Sequence, residues 1–201
     1  AVKRIEDVKT LRARQFPEDQ GPLAHAVRPT SYIEINNFYT PTIYEKGAEI
    51  CRMLHTFLGH EKFDAAMDLY FERHGGEAAT VEDFLRCMAD ASGRDLSQFA
   101  KWYEQAGTPI VEVTTNYNAE AEQYQIELKQ HTPPTPQQTE KLPLHMPLGL
   151  ALLDTRGQEL ELKPNENIEL RDGLFEFSTA TATLTFGNVS ERPVLSINRS
   201  F

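Results

Sequence analysis

Apolar side chains up to about residue 107 recur at the three- and four-residue spacing of amphipathic helices. The clearest run keeps one apolar face as far as Gly59 and consists of Ile43, Gly47, Ile50, Leu54 and Phe57. A second apolar face follows it, formed by Phe63, Met67, Tyr70 and Phe71. The spacing therefore predicts a helical subdomain, which ends where Gly107 is followed by Thr108 and Pro109.

Short polar motifs mark the ends of further helices. Thr80 and Asp83 have the spacing of a capping box, in which the hydroxyl accepts from a first-turn amide and the helix dipole favours the carboxylate. This third helix is predicted to stop near Gly93, and Asp95 is predicted to cap a fourth. The apolar side of the fourth helix would be supplied by Leu96, Phe99, Trp102 and Tyr103.

After Pro109 the apolar period changes to two, as in half-buried strands. A hairpin is predicted at 116–118, and the four prolines of 131–143 predict a loop or an edge crossing, because proline cannot donate to a sheet ladder. Seven or eight short strands at this spacing favour an antiparallel sandwich. The predicted strands lie near 110–113, 124–128, 146–152, 160–162, 168–170, 175–177, 184–186 and 194–197. The predicted fold class is thus α+β with two domains, a helical one at 1–107 and a β-sandwich at 108–201.

Composition narrows the classes of function. The hydrophobic share of 40% and charged share of 25% are typical of a soluble globular protein, and no apolar run reaches the length of a membrane span. The formal charge of −10 has the wrong sign for binding phosphate backbones, so neither nucleic acid nor a membrane is an expected partner. The first residues lack the pattern of a secretory signal, which predicts a cytoplasmic location. Cys51 and Cys87 are predicted to be free thiols.

His60 and Glu61 invite comparison with the zinc motif H-E-x-x-H. Asp64 stands where the second histidine would be, so a polar helix start is the favoured interpretation. The other histidines, at 25, 55, 74, 131 and 145, are not paired with a further ligand at a convincing spacing. No G-x-S-x-G elbow, phosphate-binding glycine loop or dinucleotide fingerprint is present. We therefore predict no metal site within the chain.

Residues 36–47, NNFYTPTIYEKG, combine three aromatic rings and two amides with a Thr-Pro-Thr that should open a helix. Together with HAVRPTSYIEI before it and the blocks DLYFERHGG, ATVEDFLRCMADASGRDLSQFAKWYEQAGTPIVEV and KLPLHMPLGLALLD after it, this segment closely resembles the bacterial aminopeptidase N family of zinc metallopeptidases. The resemblance spans nearly all of the chain. It implies the later, helical part of a thermolysin-like catalytic domain, at 1–107, followed by the β-sandwich linker domain, at 108–201.

The resemblance also implies what must come from elsewhere. The family's H-E-x-x-H zinc motif, its downstream glutamate and its G-x-M-E-N motif would all lie before Ala1. The zinc ligands, the general base and the anchor for the substrate's amino group are therefore expected outside this segment. The implied partners are peptide substrates and the remainder of the aminopeptidase chain, and the segment alone is expected to be inactive.

Within the segment, the resemblance assigns Tyr44 to catalysis. The matching tyrosine of the family donates its hydroxyl to the oxyanion that forms at the scissile carbonyl. A phenol suits this task because its unperturbed pKa of about 10 keeps it protonated at neutral pH. Asn36 and Tyr39 are expected to line the substrate cleft on the leaving-group side, whereas Glu45 and Lys46 are expected to be solvated or paired with the helix dipole.

One alternative function stays open at the level of sequence. The chain would then be a free-standing binding or scaffold module of helices and a sandwich. Such a module should have a sealed surface, whereas a part of a larger domain should expose aromatic side chains, here expected at Phe16, Phe38, Tyr39 and Trp102. The substrate's preferred first residue, expected to be neutral or basic, depends on residues that lie mostly outside the segment.

Overall fold

A computed structural model describes residues 2–165 and 168–199. The chain forms two compact units. The first consists of Ala1–Thr108 with Thr132–Lys141, and the second of Pro109–His131 with Leu142–Phe201. The proline-rich loop thus belongs to the helical unit, although in the sequence it lies between two strands of the other unit. The division into contiguous domains at 1–107 and 108–201 remains a prediction.

The first unit is helical. Its first helix is interrupted by a π-helical turn and runs through α1 (Val2–Thr10), the turn Leu11–Gln15 and α2 (Phe16–Gln20). A 3-10 turn at Ile35–Phe38 and a second π-helical turn at Thr42–Lys46 lead into α3 (Gly47–Leu58). The remaining helices are α4 (His60–His74), α5 (Val81–Ser92) and α6 (Lys101–Glu104).

The helical core is formed by the apolar faces that the spacing predicted. Its buried members include Ile50, Leu54, Phe57, Met88 and Phe99. The capping box of α5 is confirmed: Thr80 Oγ1 accepts from Asp83 N at 3.1 Å, and Thr80 N donates to Asp83 Oδ2 at 3.0 Å. Cys51 and Cys87 are free thiols, the first half-buried and the second buried.

The fourth predicted helix is only partly formed. Asp95 Oδ1 accepts from Ser97 N at 2.8 Å, which is the bond that an N-cap side chain makes to the second residue after it, so the predicted cap is present. A regular helix is limited to the four residues of α6. Trp102 and Tyr103 are nevertheless buried, as expected for the apolar side of this segment.

The second unit consists of two antiparallel sheets, as an α+β fold with a sandwich requires. One sheet has the order β1-β2-β6 and the other β4-β5-β3-β7. The strands are β1 (Ile110–Asn118), β2 (Gln123–His131), β3 (Met146–Leu153), β4 (Leu170–Arg171), β5 (Leu174–Phe177), β6 (Thr181–Phe186) and β7 (Val194–Arg199).

Burial follows the predicted alternation in β2 but not in β3, which is buried on both faces. Tyr124, Ile126 and Leu128 of β2 are buried while their neighbours face outward, and β3 is buried over nearly its whole length. Strand β1 is mostly exposed, as is typical of an edge strand. The apolar faces of β2, β3 and β6 therefore supply the core of this unit.

Three strand predictions differ from the structure. The strand predicted at 168–170 is limited to the two residues of β4. The hairpin turn lies at 119–122 instead of 116–118, because Asn118 Oδ1 accepts from Glu120 N at 3.0 Å and Ala121 N at 3.1 Å. Residues 160–162 form no strand, since the pairing there is an isolated bridge between Glu159 and Leu153. Across 2–165 and 168–199, no helix has both the length and the apolarity that crossing a bilayer demands, and a cytoplasmic location stays a prediction.

Candidate functional site

Tyr44 lies at the centre of the π-helical turn Thr42–Lys46. Its side chain is 57% exposed, whereas Thr42 and Lys46, two residues to either side, are 0% and 6% exposed. A π-helical turn within an α-helix is a rare feature that occurs frequently at functional sites. The turn thus presents the phenol outward while its flanks are buried.

The Thr-Pro-Thr segment opens this helix, as predicted. Pro41 occupies the first helical position, where its missing N–H costs nothing. Thr40 Oγ1 accepts from Ile43 N at 3.2 Å, and Tyr44 N donates to Thr40 O at 3.1 Å. The amide of Thr42 is satisfied from α2, because it donates to Glu18 Oε1 at 3.0 Å. The helix start therefore depends on a carboxylate from another part of the chain.

Lys46 is buried in an ion pair and is not solvated, contrary to expectation. Its ammonium donates to Asp19 Oδ2 at 2.7 Å and to Gly107 O at 3.0 Å. Asp19, 1% exposed, also accepts from Gly107 N at 2.8 Å and from Thr108 Oγ1 at 3.0 Å. A lysine outside a helix's apolar stripe looks solvated in sequence, and only the fold shows that the helical unit closes over it.

The surroundings of Asp19 stabilise its carboxylate. Burial raises the pKa of Asp19, but the charge of Lys46 and the hydrogen bonds from Lys46, Gln15 and the Gly107 amide outweigh it, so the pKa lies below its usual value. The carboxylate therefore remains ionised at neutral pH. Burial lowers the pKa of Lys46, and the charge and hydrogen bond of Asp19 act against that shift.

Asn36 and Tyr39 lie on the segment just before Tyr44, and both are exposed. The rings of Tyr39 and Tyr44 are stacked with centroids 6.1 Å apart and an interplanar angle of 19°. Asn37 Oδ1, not Asn36, accepts from the backbone amides of Ile33 and Glu34 at 3.1 Å. The Asn36 side chain makes no hydrogen bond within the described ranges 2–165 and 168–199, which leaves its amide available.

The exposed aromatic surface only partly matches the expected one. Tyr39 is 67% exposed, Phe16 and Phe38 are half-buried, and Trp102 is buried at 9%. Exposed apolar side chains lie instead on the segment before Tyr44, at Leu23, Tyr32, Ile33 and Ile35. Ile33 is 99% exposed, which is unusual for a sealed domain surface and favours a part of a larger domain over a free-standing module.

Arg28 connects two other parts of the helical unit. Its guanidinium lies 2.6 Å from Glu82 Oε1, and its amide donates to Tyr103 O at 2.8 Å. A cavity of about 760 Å³ opens beside this region, and among its lining residues are Glu18, His25, Arg28, Tyr32, Asn37 and Gln138. Neither Tyr39 nor Tyr44 lines it, so this cavity is distinct from the surface that carries the phenol.

The chain's own residues do not fit a zinc site. Within 2–165 and 168–199, no three side chains of His, Cys, Asp or Glu converge as metal ligands. His60 and Asp64 form an exposed pair on α4, with Nε2 and Oδ2 3.4 Å apart. This pair lacks a third donor, and a catalytic zinc requires three protein ligands.

Comparison with known proteins defines the class. Residues 4–103 match the peptidase family M1 domain, and residues 107–201 match a domain described as "Domain of unknown function (DUF3458) Ig-like fold". The chain therefore belongs to the M1 peptidase family, with the helical unit in the peptidase match and the sandwich in the Ig-like match. Within that family it is a segment of the aminopeptidase N type.

The relatives support this narrower assignment. The chain is 50% identical to aminopeptidase N of Escherichia coli K12 over 194 residues, covering 96% of this chain and 22% of that protein. It is 66% identical to aminopeptidase N of Caulobacter vibrioides over 121 residues, 60% of this chain and 14% of that protein. The structure of Legionella pneumophila aminopeptidase A in complex with aspartic acid matches with a TM-score of 0.72 and 28% identity, over 96% of this chain and 22% of that one. The chain thus spans about a fifth of the full-length relatives it matches.

The buried pair leads to a prediction about stability. We expect Lys46→Met to lower the free energy of unfolding of the helical unit by about 3–5 kcal/mol at neutral pH, because it leaves Asp19 buried without its counter-ion. Urea unfolding followed by the fluorescence of Trp102, the single tryptophan, measures this.

The pH dependence provides the check. In the parent chain, Asp19 has a lowered pKa, so its contribution is present above an unfolded-state pKa of about 3.9 and is lost as pH falls through the folded-state value. Removing the ammonium raises the pKa of Asp19, so the variant takes up the proton at higher pH. The difference in free energy of unfolding between Lys46→Met and the parent chain should therefore narrow as the pH falls from about 7 to about 4. Arg73→Met, which breaks the exposed pair with Asp90, is the control and should change the free energy of unfolding little. An equal loss of stability from both substitutions would contradict the prediction.

Proposed function

We propose that this chain is the part of a zinc aminopeptidase that supplies the hydrogen-bond donor to the oxyanion, and that Tyr44 is that donor. The observation that carries the proposal is the pairing of an exposed phenol with buried flanks in a segment of the M1 family. Surface tyrosines normally need no fixed position, whereas a preorganised donor does.

The chemistry assigned to Tyr44 is electrostatic. When water attacks the carbonyl of the substrate's first peptide bond, negative charge develops on the carbonyl oxygen. A neutral phenol that is already oriented toward that oxygen donates a stronger hydrogen bond to it as the charge grows. The hydroxyl keeps its proton throughout, so Tyr44 stabilises the transition state without acting as an acid or base.

Zinc and the general base are assigned to the remainder of the enzyme. The family resemblance implies a zinc ion, which would polarise the carbonyl and activate water, and no three metal-ligating side chains converge for it within 2–165 and 168–199. We therefore place the ligands, the base and the anchor of the substrate's amino group outside the 201 residues. The proposed partners of the segment are peptide substrates and the rest of the aminopeptidase chain.

Asn36 and Tyr39 are proposed to contact substrate beyond the scissile bond. Support comes from the stacking of Tyr39 on Tyr44 and from the amide of Asn36, which the described residues leave unbonded. An exposed amide next to an aromatic pair suits an extended peptide, which offers both backbone polar groups and side chains.

The first prediction of this proposed function concerns Tyr44. We expect Tyr44→Phe in the full-length enzyme to lower kcat at least tenfold, since single donors to an oxyanion typically contribute on the order of 10²–10³ in turnover. KM and zinc content should change little, because the interaction forms only in the transition state. Steady-state kinetics with an aminoacyl p-nitroanilide and metal analysis measure both.

Tyr32→Phe is the matched control. Tyr32 and Tyr44 are equally exposed, at 57%, and each variant removes one hydroxyl from an exposed ring. The control should keep normal turnover. Unchanged turnover in Tyr44→Phe would remove the catalytic assignment.

The second prediction concerns Asn36. We expect Asn36→Ala to raise KM for a tripeptide several-fold more than for an aminoacyl p-nitroanilide, because only the peptide extends past the scissile bond. Asn37→Ala is not a suitable control, since its side chain holds the turn, so Asn116→Ala at an exposed position of strand β1 is used instead. The same KM change for both substrates would contradict a leaving-group contact.

The third prediction concerns the segment by itself. We expect the isolated 201-residue chain to hydrolyse no aminoacyl p-nitroanilide with or without added zinc. Its purity is checked by intact mass near 22.8 kDa. Zinc-dependent cleavage by material of that mass would overturn the placement of the ligands outside the segment.

A further inference from the structure

The turn that carries Tyr44 is attached to α2 at two points, one on each side of the tyrosine. On the N-terminal side, Glu18 Oε1 accepts from Thr42 N at 3.0 Å and from Thr42 Oγ1 at 2.5 Å. On the C-terminal side, Asp19 Oδ2 accepts from Lys46 Nζ at 2.7 Å. Two consecutive carboxylates thus bind the two residues that flank Tyr44.

These contacts are protected from water. Thr42, Lys46 and Asp19 are almost fully buried, and the Glu18 side chain is 19% exposed. Gln15, 1% exposed, adds a contact from its Nε2 to Thr42 Oγ1 at 3.4 Å. Hydrogen bonds to charged groups in such surroundings are stronger than those between neutral groups, so the turn is held firmly.

The Tyr44 side chain itself has little to hold it. It is 57% exposed, and the aromatic contact recorded for it within 2–165 and 168–199 is the stacking on Tyr39, which is itself 67% exposed. The position of its hydroxyl therefore depends on the backbone of the turn. A displacement of about 1 Å in a catalytic group can cost on the order of 10²-fold in rate.

We propose that Glu18 and Asp19 are positioning residues for Tyr44, which fix the π-helical turn through Thr42 and Lys46 so that the phenol meets the oxyanion. This inference rests on the proposed function of Tyr44. Neither carboxylate touches substrate in this account, and each acts through the backbone of the turn. Glu18 and Asp19 lie 26 and 25 residues before the tyrosine, outside the motif at 44–47 that singled it out.

The test is a double-mutant cycle in the full-length enzyme. We expect Glu18→Ala to lower kcat about tenfold with KM changed less than about twofold, because the ground state does not use the hydroxyl. In a Tyr44→Phe background, Glu18→Ala should lower kcat by less than about twofold, because the hydroxyl that it positions is already gone. Glu18→Gln keeps an acceptor oxygen for both Thr42 donors and should restore kcat to within about threefold of the parent enzyme.

Glu49→Ala is the control for a loss of structure alone. Glu49 has a side chain 23% exposed, similar to Glu18, and accepts from Arg4 and Arg52 without contact to the turn. Its removal should lower thermal stability while kcat per zinc stays normal. Asp19→Asn is less informative, since it leaves the Lys46 ammonium buried without a counter-ion and is expected to impair folding.

The outcomes separate the two proposals. A normal kcat in Tyr44→Phe would overturn the proposed function itself. A lowered kcat in Tyr44→Phe with a normal kcat in Glu18→Ala would overturn the positioning role alone. Equal losses from Glu18→Ala in both backgrounds, or from Glu49→Ala, would likewise show that Glu18 acts through general stability.

Discussion

The helical unit depends on the buried contact between Lys46 and Asp19. This ion pair joins the turn before α3 to α2. Lys46 also donates to the Gly107 carbonyl, and Asp19 accepts from the Gly107 amide and the Thr108 hydroxyl, so the pair binds residues 107 and 108 as well. Taking two charges out of water is expensive, and the pair is tolerated because every acceptor oxygen of Asp19 has a donor. The geometry of this contact is strict for the same reason, since a shift of any partner would leave a charge buried without compensation. The loop at 132–141 closes nearby, where Lys141 Nζ donates to Ala106 O and Thr135 Oγ1, both at 2.8 Å.

Because these contacts fix the backbone of the turn Thr42–Lys46, they also limit where the turn can place the exposed side chain of Tyr44. Tyr44 is the exposed centre of a turn whose two ends, Thr42 and Lys46, are buried and carry the polar contacts. The wider pitch of a π-helical turn accommodates this arrangement, because it rotates the following residues relative to an α-helix. Thr42 and Lys46 thus stabilise the turn, and under the proposed function Tyr44 is its preorganised donor.

In the sandwich, one buried side-chain amide hydrogen-bonds backbone groups that lie outside the strands. Gln130 on β2 donates to Leu144 O at 2.9 Å and Thr179 O at 2.8 Å, and accepts from Leu144 N at 2.8 Å. One buried amide therefore satisfies backbone groups from two other segments, where a strand partner is missing. Buried apolar residues on both sides of this contact, such as Leu128 and Leu144, exclude competing water.

Much of the fold could be predicted because its causes are local. The apolar periods of 3.6 and two, the capping box of Thr80 and Asp83 and the Thr-Pro-Thr start are all set by residues within a few positions of one another. The misplaced hairpin is a failure of the same local reasoning, since the Asn118 side chain accepts from Glu120 N and Ala121 N and so places the turn after it.

The sequence by itself determined the class of fold, because apolar periodicity and helix caps are properties of short stretches, and its resemblance to the aminopeptidase N family singled out Tyr44 as a candidate. Only the tertiary structure decided that Lys46 is buried, that Glu18 and Asp19 hold the turn and that Trp102 is covered while Ile33 is not. Lys46 and Asp19 are 27 residues apart, and Asp19 and Gly107 are 88 apart. The burial of a charge depends on which distant groups the packed core brings beside it, and no local pattern records that.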